Sequence, residues 1–94
     1  MSDVPVSRIL KALLRKGFER RDTHHIMLWF VPGGRSTAVT TRFSHSAKSA
    51  DDWLLGRISK ELGLSRKELL ALIECTLSEE AYLQLLIARN YIQP

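Results

Sequence analysis

The sequence predicts an α+β fold: a helix, three antiparallel strands and a second helix, then two extra C-terminal helices. Three observations predict it. Apolar residues recur with a helical period near the N-terminus and again from Leu54 onward. Between them lies a stretch rich in aromatic and β-branched residues, poor in helix formers. Pro32-Gly33-Gly34 divides that stretch into two strand-like segments. In such an α-β-β-β-α unit both helices pack on one face of a three-stranded antiparallel sheet. The chain has 94 residues, 45% of them hydrophobic. One domain over 1–94 is expected, with the α-β-β-β-α unit at 6–64 and a helical extension at 65–94.

The first helix rests on Val6, Ile9, Leu10, Leu13 and Leu14, spaced i, i+3, i+4, i+7 and i+8. Ser7 or Asp3 is its candidate cap, and Gly17 suits the position after its end. Arg8, Lys11, Arg15 and Lys16 give it a cationic face opposite the apolar one. Phe18 to Arg21 reads as a short edge strand. His24 to Val31 reads as a strand entering the Pro32-Gly33-Gly34 turn, and Thr37 to Phe43 as its hairpin partner. Ser49 is the expected cap of a helix from Ala50, with Leu54, Leu55, Ile58 and Leu62 inside and Gly63 at its end. Ser65 with Glu68 forms a capping box for a helix over 66–74. Ser78 caps a last helix from Glu79 to about Asn90.

Composition excludes several classes. No apolar run reaches the roughly 18 residues of a membrane span, so no membrane partner is expected. Met1-Ser2-Asp3-Val4-Pro5 shows no secretory signal. The single cysteine rules out an intramolecular disulfide and multi-cysteine zinc motifs, and a cytoplasmic location is the default expectation. Cys75 itself reads as an inert core or boundary residue.

The formal charge of +4 is unevenly spread. Residues 1–48 hold nine Lys/Arg and three acids; residues 49–94 hold five Lys/Arg and seven acids. A basic N-terminal half is the footprint of a polyanion partner, and a merely solvated basic surface is the alternative.

All three histidines fall in that basic half. His24 and His25 start the expected central strand, and His45 lies just past the third. An imidazole near neutrality takes a proton from a ribose 2′-hydroxyl and promotes its attack on the adjacent phosphate. Lys11, Arg20, Arg21 and Arg42 are cations suited to holding that phosphate. This is the chemistry of a metal-free ribonuclease, and a structural His-His pair is its plain rival. Adjacent histidines on opposite strand faces do not chelate one ion, so no metal and no cofactor is expected.

The residues also carry a resemblance. Ile9-Leu10-Lys11-Ala12-Leu13-Leu14-Arg15-Lys16-Gly17-Phe18-Glu19 resembles the opening helix and Gly-Phe step of HicA-type toxins. Arg21-Asp22-Thr23-His24-His25-Ile26 is similar to that family's Gly-Ser-His-His segment, with Asp22 for Gly and Thr23 for Ser. Gly33-Gly34-Arg35 stands at its hairpin turn, and Ser44-His45-Ser46 at its His-Ser. Leu54 to Leu64 resembles its closing helix. The likeness spans about residues 8–64 and leaves the tail from Ser65 to Pro94 outside the family pattern. It implies a fold like double-stranded-RNA-binding domains, RNA cleavage by an mRNA interferase toxin, and a HicB-like antitoxin that blocks it. The motif histidine, and so the implied general base, is His24. Lys11, Lys16, Arg20, Arg21, His25, Arg42 and His45 are the candidate RNA contacts.

Two rivals stand beside this. One is a non-catalytic RNA-binding module. The other is a protein-interaction domain, forming a homodimer through the Met27/Trp29 sheet face or the C-terminal helices. That sheet face is itself expected to lie under the tail helices, because Met and Trp on an open face are sticky. Arg20 and Arg21 have a further plain role, protecting an edge strand from aggregation.

Overall fold

The structure, a computed structural model, describes residues 3–93. It is an α+β domain with a three-stranded antiparallel sheet and four α-helices. In chain order the elements are β1 (Val4–Pro5), α1 (Val6–Arg15), β2 (Phe18–Asp22), β3 (Ile26–Phe30), β4 (Thr40–Phe43), β5 (Ser49–Ala50), α2 (Asp52–Glu61), α3 (Arg66–Ile73) and α4 (Glu79–Ala88). Among the described residues no helix is long and apolar enough to cross a membrane.

α1 forms on the expected stripe: Val6, Ile9, Ala12 and Leu13 are buried and Lys11 and Arg15 are exposed. Its cap differs from expectation. Pro5 precedes the helix with no side-chain cap, and the Val6 amide is satisfied by the Lys48 carbonyl at 3.0 Å. Two short strands absent from the sequence reading bring this about: β1 pairs antiparallel with β5, Val4 opposite Ala50 and Pro5 opposite Ser49. Ser49 is therefore a strand residue rather than a cap. Asp51 caps α2 instead, accepting from the Leu54 amide at 2.9 Å. Gly17 ends the α1 turn at φ +88°, where an added Cβ would stand 2.6 Å from a Glu79 carboxylate oxygen.

The sheet order is β2-β3-β4, with Phe18 opposite Phe30, Asp22 opposite Ile26, and Ile26 opposite Phe43. The central strand is shorter than its aromatic run predicts. His24 and His25 lie with Thr23 in the turn between β2 and β3, not in β3. The link from β3 to β4 is likewise no tight hairpin. Pro32–Gly34 makes a 3-10 turn with Gly33 and Gly34 at φ +61° and +83°. The Thr37 hydroxyl then donates to the Phe30 carbonyl at 2.7 Å and closes the base of the loop. Thr37–Val39 therefore stays outside the strand.

One sheet face is apolar and buried: Phe18, Ile26, Leu28, Phe30 and Phe43. α1 and α2 supply Ile9, Leu13, Leu55 and Ile58 to the same core cluster. The tail joins it through Leu69, Leu72, Ile73, Tyr82, Leu86 and Ile92. Tyr82 is fully buried. Its ring lies 4.9 Å from Phe30 and 6.0 Å from Phe18 between centroids. Its hydroxyl donates to the Leu62 carbonyl at 2.8 Å. The tail thus thickens the helical layer on the apolar side. It does not lie over Met27 and Trp29 as expected, because the aromatic core attracts α4 to the opposite face. The Ser65–Glu68 capping box opens α3 as its sequence indicates, and Ser78 caps α4. Cys75 is exposed at φ +64°, neither the core nor the boundary residue expected.

Candidate functional site

The β2–β3 turn gathers most of the histidine chemistry at one end of the sheet. Its backbone is closed by the Thr23 amide donating to the His25 carbonyl at 2.9 Å. His45, from the loop after β4, reaches across and places Nε2 3.0 Å from the Thr23 carbonyl. A carbonyl only accepts, so Nε2 carries a proton there and Nδ1 is the nitrogen left for other work. The loop bearing His45 is braced by Ser44 and Ser46, whose hydroxyls are 3.0 Å apart. His24 and His25 are both exposed on the turn. They do not straddle a strand, so the geometric argument against a shared ion falls. Among the described residues no three His, Cys, Asp or Glu side chains are grouped as ligands of one ion.

The strand arginines are engaged locally. Arg20 donates through Nε and Nη2 to the two Asp22 carboxylate oxygens at 2.9 and 3.1 Å. Those hydrogen bonds hold the Asp22 carboxyl below its ordinary range, and the charges of Arg20 and His45 add to the pull. Asp22 is therefore paired with Arg20 at the end of β2. Arg21 donates to Glu19 at 2.8 Å, and its guanidinium carbon stands 6.0 Å from the Trp29 ring centroid. Arg21, Met27, Trp29 and Arg42 share the sheet face away from the helices.

The remaining expected contacts divide. Lys11 is exposed on α1, apart from the turn in sequence and element. Lys16 is 9% exposed, its stem packed where α1 ends, so it drops out of the cationic helix face. Arg42 is exposed on the open sheet face, and its carbonyl accepts from the Arg57 guanidinium. The structure therefore joins His24, His25, His45, Arg20 and Asp22 at one end of the sheet and leaves Lys11 and Lys16 elsewhere.

A second concave surface escaped the sequence reading. Asp52, Trp53, Gly56, Arg57, Lys60 and Arg66 line a shallow groove of about 410 Å³ on the outer side of α2. Its signal is present in the sequence as an aromatic and two cations at i, i+4 and i+7, opposite the apolar stripe. Comparison of the chain with protein-family models, curated proteins and solved structures finds no match.

Proposed function

We propose that this chain is a HicA-like RNA-binding protein, with its histidine-bearing sheet end against the RNA and His24 as general base of a metal-independent cleavage. The observation that carries the reading is the exposed Thr23-His24-His25 turn, pinned at its backbone by His45. The order helix, three antiparallel strands, helix supports a double-stranded-RNA-binding-domain-like scaffold, which reads shape and phosphates rather than base edges. Lys11 and Arg15 on α1 supply sequence-independent attraction to the backbone. In cleavage, His24 takes the 2′-hydroxyl proton as that oxygen attacks the adjacent phosphorus. The 5′ oxygen leaves with a proton from one of the two neighbouring imidazoles, giving a 2′,3′-cyclic phosphate and a 5′-hydroxyl. A HicB-like antitoxin is the partner that would cover this end.

The test is incubation of the purified chain with labelled messenger RNA in chelator. Wild type should cut; His24→Ala should not, with its unfolding midpoint preserved. Equal cutting by the variant excludes His24 as the base. Replacing Lys11 and Arg15 with Gln should lower the salt slope of RNA binding by about one unit per residue. A second reading, binding without cleavage, draws on the Arg20–Asp22 and Arg21–Glu19 pairs, which occupy the nearby guanidinium groups. Salt-dependent binding with no product at any pH selects it.

A further inference from the structure

α2 buries Leu55, Ile58 and Ser59 and turns a different row outward. Trp53, Arg57 and Lys60 recur at i, i+4 and i+7, so they stand above one another on one helix side. Trp53 is 74% exposed, an indole that the core does not claim. Gly56, one turn along, leaves the floor of the groove without a side chain; a Cβ there would stand 3.6 Å from Arg66 Nη2. Two of the three cations are held in place. Arg66 donates to the Asp52 carbonyl at 2.9 Å and to the Asp52 carboxylate at 3.2 Å. The Arg57 guanidinium donates to the Arg42 carbonyl and stands 3.6 Å from Glu61. Lys60 is exposed and forms no ion pair among the described residues.

We propose that this groove binds an unpaired nucleotide of an RNA chain, the base stacked on Trp53 and the phosphate held by Lys60 with Arg57 and Arg66. The proposal rests on the RNA-binding reading and adds a second contact surface to it. The flat exposed indole selects a ligand with a free aromatic face. In a duplex those faces are covered by neighbouring bases, so the occupant is single-stranded. Asp52 pairs with Arg66 and Glu61 with Arg57, which leaves the Lys60 charge in excess and favours a ligand that is also anionic. The groove volume of about 410 Å³ falls in the range of roughly 300–1,000 Å³ typical of small-ligand sites. An acidic peptide would satisfy the cations and leave the indole unused.

The experiment compares the full chain with Trp53→Ala, Trp53→Phe and Lys60→Gln. The probes are a fluorescent 12-residue oligoadenylate, a blunt RNA duplex and an Asp/Glu-rich peptide, read by anisotropy. Trp53 and Lys60 are exposed, so these variants should keep the wild-type unfolding midpoint. Trp53→Ala should weaken oligoadenylate binding about tenfold or more, Trp53→Phe much less, and duplex binding should not change. Lys60→Gln should weaken oligoadenylate binding and lower its salt slope. Unchanged oligoadenylate affinity in Trp53→Ala, with wild type binding RNA, overturns the groove alone. Peptide binding insensitive to Trp53→Ala, with no oligoadenylate binding, also overturns it. Failure of wild type to bind either RNA overturns the RNA reading and the groove together.

Discussion

Replacing Tyr82 with phenylalanine tests the buried hydrogen bond that ties α4 to the end of α2. Phenylalanine keeps the ring contacts to Phe18 and Phe30 and removes one oxygen. The lost hydrogen bond, from the hydroxyl to the Leu62 carbonyl at 2.8 Å, is worth about 1 kcal/mol net. Leu62 is itself fully buried, so its carbonyl is left without that donor and away from water. An enclosed polar group without a partner costs about 1–3 kcal/mol. The two estimates overlap, because both describe the same broken contact, and the expected loss is about 2 kcal/mol. At about 4–8 °C per kcal/mol for a domain of this size, Tm should fall by roughly 8–16 °C. Urea unfolding followed by far-ultraviolet circular dichroism should show a lower midpoint at unchanged slope, since the surface exposed on unfolding is nearly the same. Burial also pushes the Tyr82 phenol up, so its phenolate absorbance should appear only as the chain unfolds in base. A midpoint equal to wild type would refute the buried hydrogen bond from Tyr82 to the Leu62 carbonyl and the cost assigned to its loss.

Two further outcomes follow from the tail and α2. Hydrogen bonds from Arg89, with one from the Ser65 amide, hold Glu68 down from 4.5 to about 2. The folded value lies below the unfolded one, so the stabilisation is complete above about pH 4.5 and fades as pH falls toward 2. Glu68→Gln should flatten the acid limb of a stability-against-pH curve in that window; an unchanged limb would remove the pair from the account. Gly56→Ala adds a methyl inside α2 whose nearest neighbour is Arg66 Nη2 at 3.6 Å, an ordinary contact. It should raise stability by about 0.5–1 kcal/mol in thermal melts while filling the groove floor and weakening oligoadenylate binding. A destabilised variant would show that the helix there is not free to accept a side chain.

The parts of the fold visible in the sequence are those written in local chemistry. The α1 stripe, the Gly17 stop, the Ser65–Glu68 box and the Ser78 cap each depend on residues within one or two turns. Leu14 belongs to the same spacing yet is 45% exposed, because the helical layer does not extend over it. The β2–β3 turn was hidden because Thr23-His24-His25 contains no Gly, Pro or Asn to mark it. The Val4–Ala50 pairing joins distant residues over two positions, too short for any periodicity to announce. At the candidate site, the β3–β4 register that carries the His45 loop to the β2–β3 turn is a tertiary feature with no local signature, and so is the placement of His24 and His25 in that turn. Lys16 is buried in the folded chain, which the pattern of a single helix does not encode. The Trp53 row was legible as a helical repeat, but its concavity depends on Gly56 and on Arg66 from another helix.

The distance in sequence from Phe30 to Tyr82 has a consequence during synthesis. Phe18 and Phe30 are made well before the ring that packs against them. At bacterial and eukaryotic elongation rates the delay between residues 30 and 82 is roughly 3–10 s. For that interval the apolar sheet face is only partly roofed, so the nascent chain offers hydrophobic surface to chaperones or to neighbouring nascent chains. Slowed translation between the codons for Phe30 and Tyr82 would lengthen this exposure and lower the soluble yield without altering a single residue.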